Sequence, residues 1–263
     1  MQFSPIFQLF SFKLFGIFVN ISNKNPRLHK AGGTLAVILK KRCEFKKPMK
    51  DIKCIIFDCD GVLVDSEIIG NQILLSMAKE FGLEMTIEDA IKNFNGRSLK
   101  DSFQYIENLT NKKLPDNFES EYRKLTFEAF KTDLKPIKGV KEFIDTLSVS
   151  YCVASSGPIE KINLNLTTTG LIEKFENKIF SSYQINSWKP EPEIFLFASR
   201  EMGFTTNECV VIEDSKAGVI SAKKGGFKVY GFANENNEKE LKDEGAIIFY
   251  SFEELASLLN LKN

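Results

Sequence analysis

Six short apolar runs recur along the chain: KCIIFDC (53–59), YCVAS (151–155), KIFSS (178–182), CVVIED (209–214), FKVYGF (227–232) and AIIFYS (246–251). Runs of this length, rich in Val, Ile and Phe and bounded by turn residues, predict strands buried on both faces. From the second run onward they alternate with helical stretches near 158–168, 191–202, 215–224, 237–243 and 252–260. Apolar strands alternating with helices predict a parallel sheet covered on both sides, an α/β fold of the Rossmann-like, doubly wound kind. The interval after the first strand differs. Over 66–135 nothing reads as a strand, and apolar residues recur at helical spacing, as in Ile69, Ile73, Leu74, Met77 and Phe81. Further helices are predicted around 86–94, 98–109 and 117–131, broken by Asn95-Gly96 and by Pro115. Pro136 and Gly139 mark the return. The pattern predicts a core of 49–65 and 136–263, interrupted at 66–135 by an all-helical insertion.

The first 48 residues stand apart. MQFSPIFQLFSFKLFGIFVN is apolar and Phe-rich, but Pro5, Gln8 and Lys13 interrupt it. It is at the short end for a membrane span and lacks the basic start and small-residue cleavage site of a secretory signal. The chain as a whole balances 35 Lys and Arg against 35 Asp and Glu. Residues 1–48 hold nine of those cations and one acid, Glu44, a net +8 that leaves −8 on the remainder. The expectation is that Met49 is the working start and 1–48 lie outside the fold; a targeting or membrane-anchoring segment, or a structured part of the fold, are the alternatives. A mildly acidic body offers no electrostatic footprint for nucleic acid, and no membrane partner is expected unless 1–48 are an anchor. Five cysteines without a CxxC pair, four of them in the apolar runs, read as reduced core thiols. A cytoplasmic monomer is the expectation.

The candidate chemistry sits at strand ends. In FDCDGVLVDSE (57–67), Asp58 and Asp60 lie two apart where the first strand turns into a loop, and Gly61 follows. Side by side, two carboxylates repel and bury poorly unless something compensates. VASSG (153–157) ends in Ser155 and Ser156, and VVIEDS (210–215) ends in Glu213 and Asp214. Ser187-Trp188-Lys189-Pro190 places a lysine just before a helix. Parallel sheets bind ligands outside the carboxyl ends of their strands. The carboxylates there need a cation, and an all-oxygen set suits Mg²⁺. The hydroxyls, the ammonium and the helix N-termini suit an anion. Together they argue for phosphate chemistry, in which a carboxylate can be the nucleophile. Taken singly, Lys189 could be a solvated helix-start lysine, Ser155 a cap, and Glu213 and Asp214 caps of the helix near Ser215. Their coincidence at strand ends argues against that.

FDCDG, VASSG, WKPEP and VIEDS, in this order and spacing, resemble the four motifs of the haloacid dehalogenase superfamily of phosphohydrolases. The helical insertion resembles the cap of its beta-phosphoglucomutase-like branch, and the likeness covers about 52–260. Within the branch, SSGPIEKINLNL and KIFSSYQINSWKPEPEIF are similar to bacterial sugar-phosphate phosphatases of the 6-phosphogluconate phosphatase kind. The resemblance implies that Asp58 attacks phosphorus and forms an aspartyl-phosphate. Asp60 then protonates the leaving alcohol and later takes a proton from water. It further implies that Ser155, with Ser156 beside it, and Lys189 bind the phosphoryl group. Asp58, Asp60, Glu213 and Asp214 would surround Mg²⁺, with Glu213 either a ligand or an acceptor behind one. Nearby negative charge is expected to raise the proton affinity of Asp60.

A small phosphorylated metabolite is the implied partner, chosen by the cap. NFNGRSLKD (93–101) is a polar helix break; by resemblance, its Arg97 would meet an anionic part of the leaving group, and the alternative is a solvated turn. Asp65 and Ser66 are placed to act as a hinge between core and cap. Two rivals remain. A phosphomutase of the same branch would carry a histidine early in the cap, and Asp65–Asn71 have none. A phospho-accepting signalling module or non-catalytic binder would lack the helical insertion or one of the two aspartates.

Overall fold

The computed structural model describes residues 52–95 and 98–260. The expectations for residues 1–48, Met49 and Arg97 therefore lie outside the described residues.

Six strands form one sheet: β1 (Cys54–Phe57), β2 (Ser150–Ser155), β3 (Ile179–Ser181), β4 (Cys209–Glu213), β5 (Lys228–Phe232) and β6 (Ile247–Phe249), in the order β3-β2-β1-β4-β5-β6. Every neighbouring pair is parallel; Phe57 lies beside Val153 on one flank and Ile212 on the other. This is the doubly wound α/β sheet expected from the apolar runs. Alternate residues of a strand face opposite sides. Ile55 and Phe57 join Val153, Val210 and Ile212 in one buried cluster, while Cys54 and Ile56 join Cys152, Ala154 and Val211 in the other. The four described cysteines are free and buried. Strands β3 and β6 are shorter than their apolar runs, because an edge strand has a ladder partner on one side only.

Helices cover both faces. Short α5 (Val140–Asp145), α6 (Ile159–Thr168) and α10 (Phe252–Leu258) cover the first cluster; α7 (Glu193–Glu201), α8 (Lys216–Lys224) and α9 (Glu238–Asp243) cover the second. The sequence pattern does not register α5, since six residues are too few to show a helical period. Side chains cap several starts: Ser215 accepts from the Gly218 N–H and Ser251 from the Glu254 N–H.

Between β1 and β2 come α1 (Glu67–Lys79), α2 (Ile87–Phe94), α3 (Leu99–Thr110) and α4 (Phe118–Asp133). Thr86 and Ser98 cap α2 and α3 by accepting from Asp89 and Asp101 N–H groups. These helices bury their own cluster, Leu74, Ala78, Leu83, Ala90, Phe94, Ile106 and Phe118, apart from the sheet. The chain leaves and re-enters the core side by side: the Asp65 N–H donates to the Lys135 carbonyl at 2.9 Å and the Ile137 N–H to the Leu63 carbonyl at 3.0 Å. Among the described residues, no helix is long and apolar enough to cross a membrane.

Candidate active site

The order of the sheet puts β1 between β2 and β4, so their carboxyl ends share one edge. Asp58 follows β1 directly, its N–H held by the Ile212 carbonyl of β4 at 2.9 Å. Lys189 reaches in from the segment before α7. Its Nζ donates to Asp58 Oδ1 at 2.5 Å and to Glu213 Oε1 at 2.6 Å, and it lies 4.8 Å from the centre of the Phe195 ring. The lysine side chain is only 7 % exposed. Burial alone would pull its ammonium down; Asp58 and Glu213 more than offset this and hold it protonated. Burial pushes the Asp58 carboxyl up to about 7, against the pull of Lys189 and with Glu213 adding to the rise.

Glu213 and Asp214 divide the work. Glu213 is fully buried, and its second oxygen accepts from the Asp214 N–H, the Ser215 N–H and the Ser215 hydroxyl. Gly218 leaves room for it, since a Cβ there would lie 1.8 Å from Oε1. Asp214 turns instead toward Gly61, whose φ is +77° and whose hypothetical Cβ would lie 2.0 Å from Asp214 Oδ2. Gly61 is therefore fixed twice, by a positive φ and by the carboxylate against it. Burial pushes Asp214 well up, with Glu67, Glu213 and Asp58 adding repulsion.

Oxygens of Asp58, Glu213 and Asp214 all lie within 4.8 Å of one another. Lys189 is the cation paired with Asp58 and Glu213. An acid cluster with too little balancing charge fits a divalent cation, and its oxygen donors fit a hard one. Since Glu213 already accepts four hydrogen bonds, Asp58 and Asp214 are the better-placed ligands and Glu213 the acceptor behind them. Asp60, expected among the ligands, is not part of this cluster.

The Asp60 carboxylate is held elsewhere. It accepts from Lys161 Nζ at 2.8 Å, from the Ser66 hydroxyl at 2.7 Å and from Asn165 Nδ2 at 3.2 Å. Burial would raise it, but the Lys161 charge and hydrogen bond, with that of Ser66, outweigh burial and leave it below the ordinary range. This reverses the expected direction: a cation that the motifs do not contain outweighs the effect of burial. Ser66, read from sequence as a hinge residue, thus ties the start of α1 to Asp60. Lys161 and Asn165 escaped the sequence reading. Their signal was a polar pair four apart on a helix whose Ile162 and Leu166 face the core, directly after the VASSG strand. Ser155 is buried at the end of β2, its Oγ accepting from the Gly157 N–H at 3.1 Å and its proton left to donate. Ser156 is half-buried beside it.

A cavity of about 380 Å³ runs from Asp60 and Lys161 toward the helical insertion, walled by Glu67, Asn71, Asn95, Tyr122 and Phe130 among others. Burial, with Asp65 and Asp60 adding repulsion, pushes Glu67 up to about 7.

The family model described as haloacid dehalogenase-like hydrolase matches residues 55–232, which run from β1 to β5 and take in the insertion and all these strand ends. The chain belongs to that family. This haloacid dehalogenase-like hydrolase has named phosphatase relatives. It is 29 % identical over 212 residues to the 6-phosphogluconate phosphatase of Escherichia coli K12, covering 80 % of this chain and 96 % of that protein. Identity is also 29 % over 214 residues to the phosphorylated carbohydrates phosphatase of Thermotoga maritima, at 79 % and 98 % coverage. Among solved structures, a conserved haloacid dehalogenase-like protein of unknown function from Agrobacterium tumefaciens superposes with a TM-score of 0.75 at 29 % identity, covering 80 % of this chain and 98 % of that one.

Proposed function

We propose that the protein is a Mg²⁺-dependent, cytoplasmic phosphatase of a small sugar or sugar-acid phosphate, 6-phosphogluconate among the candidates, acting through an aspartyl-phosphate on Asp58. The observation that carries this reading is the division of two aspartates between two lysines. Asp58 shares Lys189 with the acid cluster, whereas Asp60, two residues on, is held by Lys161, Ser66 and Asn165 at the mouth of a cavity sized for a leaving group. Segments 49–65 and 136–263 supply the chemistry in this reading, and the cap at 66–135 selects the substrate.

Asp58 attacks phosphorus with the oxygen not held by Lys189. Lys189 and the Ser155 hydroxyl face the phosphoryl oxygens and stabilise the charge that builds there. Asp60, with the Lys161 ammonium against Oδ2, is ionised in the free protein. In this reading the negative charge of the incoming phosphate raises its proton affinity, and it takes a proton from solvent as the substrate binds. It gives that proton to the departing oxygen and then accepts one from the attacking water. Asp58 and Asp214 would hold Mg²⁺, which when bound supplies positive charge toward the phosphate and favours ionised Asp58.

The test is release of inorganic phosphate from an aryl phosphate and a sugar-phosphate panel, with Mg²⁺ or with a chelator. No turnover of any monoester with Mg²⁺ present sinks the reading. Accumulation of a bisphosphate in place of free phosphate would favour the mutase alternative.

Metal binding has its own signature. Asp58 and Asp214 are both raised, so protons compete with a cation below about pH 7. The Tm increase produced by Mg²⁺ is therefore expected to be larger at pH 8 than at pH 6. An equal increase at both would place the ion elsewhere.

Lys161→Met removes the charge that holds Asp60 low, so the Asp60 proton affinity rises. The acid limb of the kcat–pH profile should move to higher pH, with the largest loss near pH 6. An unmoved limb would separate Asp60 from the water step. For the sugar-acid reading, Arg97→Ala should cost about 1.5–3 kcal/mol in kcat/KM on 6-phosphogluconate and less on an aryl phosphate. Equal losses on both would count against it.

A further inference from the structure

Glu67 begins α1, and its carboxylate borders the same cavity as Asp60. Two neighbours fix it. Its Oε2 accepts from Asn95 Nδ2, and Asn95 Oδ1 in turn accepts from Asn71 Nδ2 at 2.6 Å. Asn71 lies one turn along α1 from Glu67, so the triad locks the start of α1 to the residue that ends α2.

The two lysine or arginine residues in the described cavity lining are already committed. Lys161 pairs with Asp60 at 2.8 Å, and Arg123 pairs with Glu119 at 2.7 Å. Apart from Asp60 the rest of the described lining is uncharged: amides and hydroxyls at Asn71, Asn95, Tyr122 and Thr126, and apolar side chains such as Phe94 and Phe130. Gly70, inside α1, has a helix-weakening lack of side chain, and a Cβ there would lie 2.9 Å from the Tyr122 hydroxyl. The wall is thus shaped around that hydroxyl.

A half-buried carboxylate beside amides and hydroxyls, with no lysine or arginine in the described lining free to pair with it, recognises hydrogen-bond donors that carry no negative charge. We propose that Glu67, positioned by Asn95 and Asn71, is a specificity-determining residue: it accepts a hydrogen bond from a hydroxyl on the leaving group close to the scissile oxygen, and it repels a leaving group with a carboxylate there. This rests on the phosphatase reading. It is compatible with a sugar acid, whose carboxylate lies at the far end of the chain from the ester. It disfavours a two-carbon acid phosphate, whose carboxylate would come directly against Glu67.

The test uses the full chain at pH 8, as wild type and as Glu67→Gln, which keeps the shape and an acceptor for Asn95. Three probes are compared: sorbitol 6-phosphate, phosphoglycolate and p-nitrophenyl phosphate. The wild type should prefer sorbitol 6-phosphate over phosphoglycolate. Glu67→Gln should lower kcat/KM for sorbitol 6-phosphate roughly ten- to a hundredfold, chiefly through KM. Its loss on p-nitrophenyl phosphate should be at least several-fold smaller, and phosphoglycolate should gain relative to both. Equal losses on all three probes, with a higher Mg²⁺ requirement, would mean that Glu67 serves the acid cluster and would overturn the proposal. Unchanged ratios would overturn it too. Wild-type turnover of p-nitrophenyl phosphate checks the phosphatase reading separately. Should that reading fail, calorimetric binding of sorbitol 6-phosphate to the two proteins still decides: equal affinity overturns the assignment of Glu67, and weaker binding by Glu67→Gln supports it.

Discussion

Asp58→Asn should lose at least roughly a ten-thousandfold in kcat while the protein stays folded. The amide keeps the shape of the carboxylate but is a poor nucleophile and a neutral metal ligand. The fold should tolerate it because Lys189 keeps Glu213 at 2.6 Å as its partner. The sign for stability follows from the raised value of about 7 at Asp58. A carboxyl whose folded pKa lies above its unfolded one contributes stability below the unfolded value and loses it as pH rises through the folded one. At pH 8 the wild-type carboxylate is therefore a burden on the metal-free fold, and the asparagine removes it. Metal-free Tm should be equal or higher at pH 8, and the Mg²⁺-induced increase should shrink. Phosphate release and thermal melts with and without Mg²⁺ check both halves. A well-folded variant with near-wild-type turnover would remove Asp58 from the chemistry.

Lys189→Met should do the opposite to the fold and the same to the activity. The lysine side chain is 7 % exposed and bridges two carboxylates of 11 % and 0 % exposure. Removing one partner of a buried pair leaves uncompensated charge and costs about 3–5 kcal/mol. In a chain of this size that is a Tm fall of roughly 6–20 °C. Without the lysine the Asp58 carboxyl rises further, because Lys189 is what pulls it down. The destabilisation should therefore grow from pH 5.5 to pH 8, as the acids ionise, and Mg²⁺ should recover part of it. Turnover should be lost even where the fold is recovered, since the phosphoryl oxygens no longer meet a fixed cation. A Tm change independent of pH would show that the lysine acts by packing on Phe195 and not by charge.

The sheet was legible in the sequence because its strands are buried on both faces. Burial of that kind forces continuous apolar runs such as CIIF and CVVI, which no exposed segment would carry. The helical insertion was legible because its residues repeat at helical spacing and leave no such run. The acids at the strand ends were legible because polar residues there interrupt an apolar pattern for no structural reason of their own. The sequence left other matters open. Glu213 and Asp214 are adjacent, and only the crossing of β4 beside β1 shows one turned to Lys189 and backbone N–H groups and the other to Gly61. The state of Asp60 was misjudged because Lys161 is 101 residues away, on a helix face that looks like any amphipathic face until it docks. Glu67 acquires meaning only where α1, α2 and the sheet edge close one cavity. By itself the sequence determined the elements, their buried faces and the strand-end acids, because hydrophobic periodicity and local backbone preference are short-range. The tertiary structure alone decided which charges pair, and hence which acid is raised and which is lowered, because electrostatics in a buried site depends on distances between residues far apart in the chain.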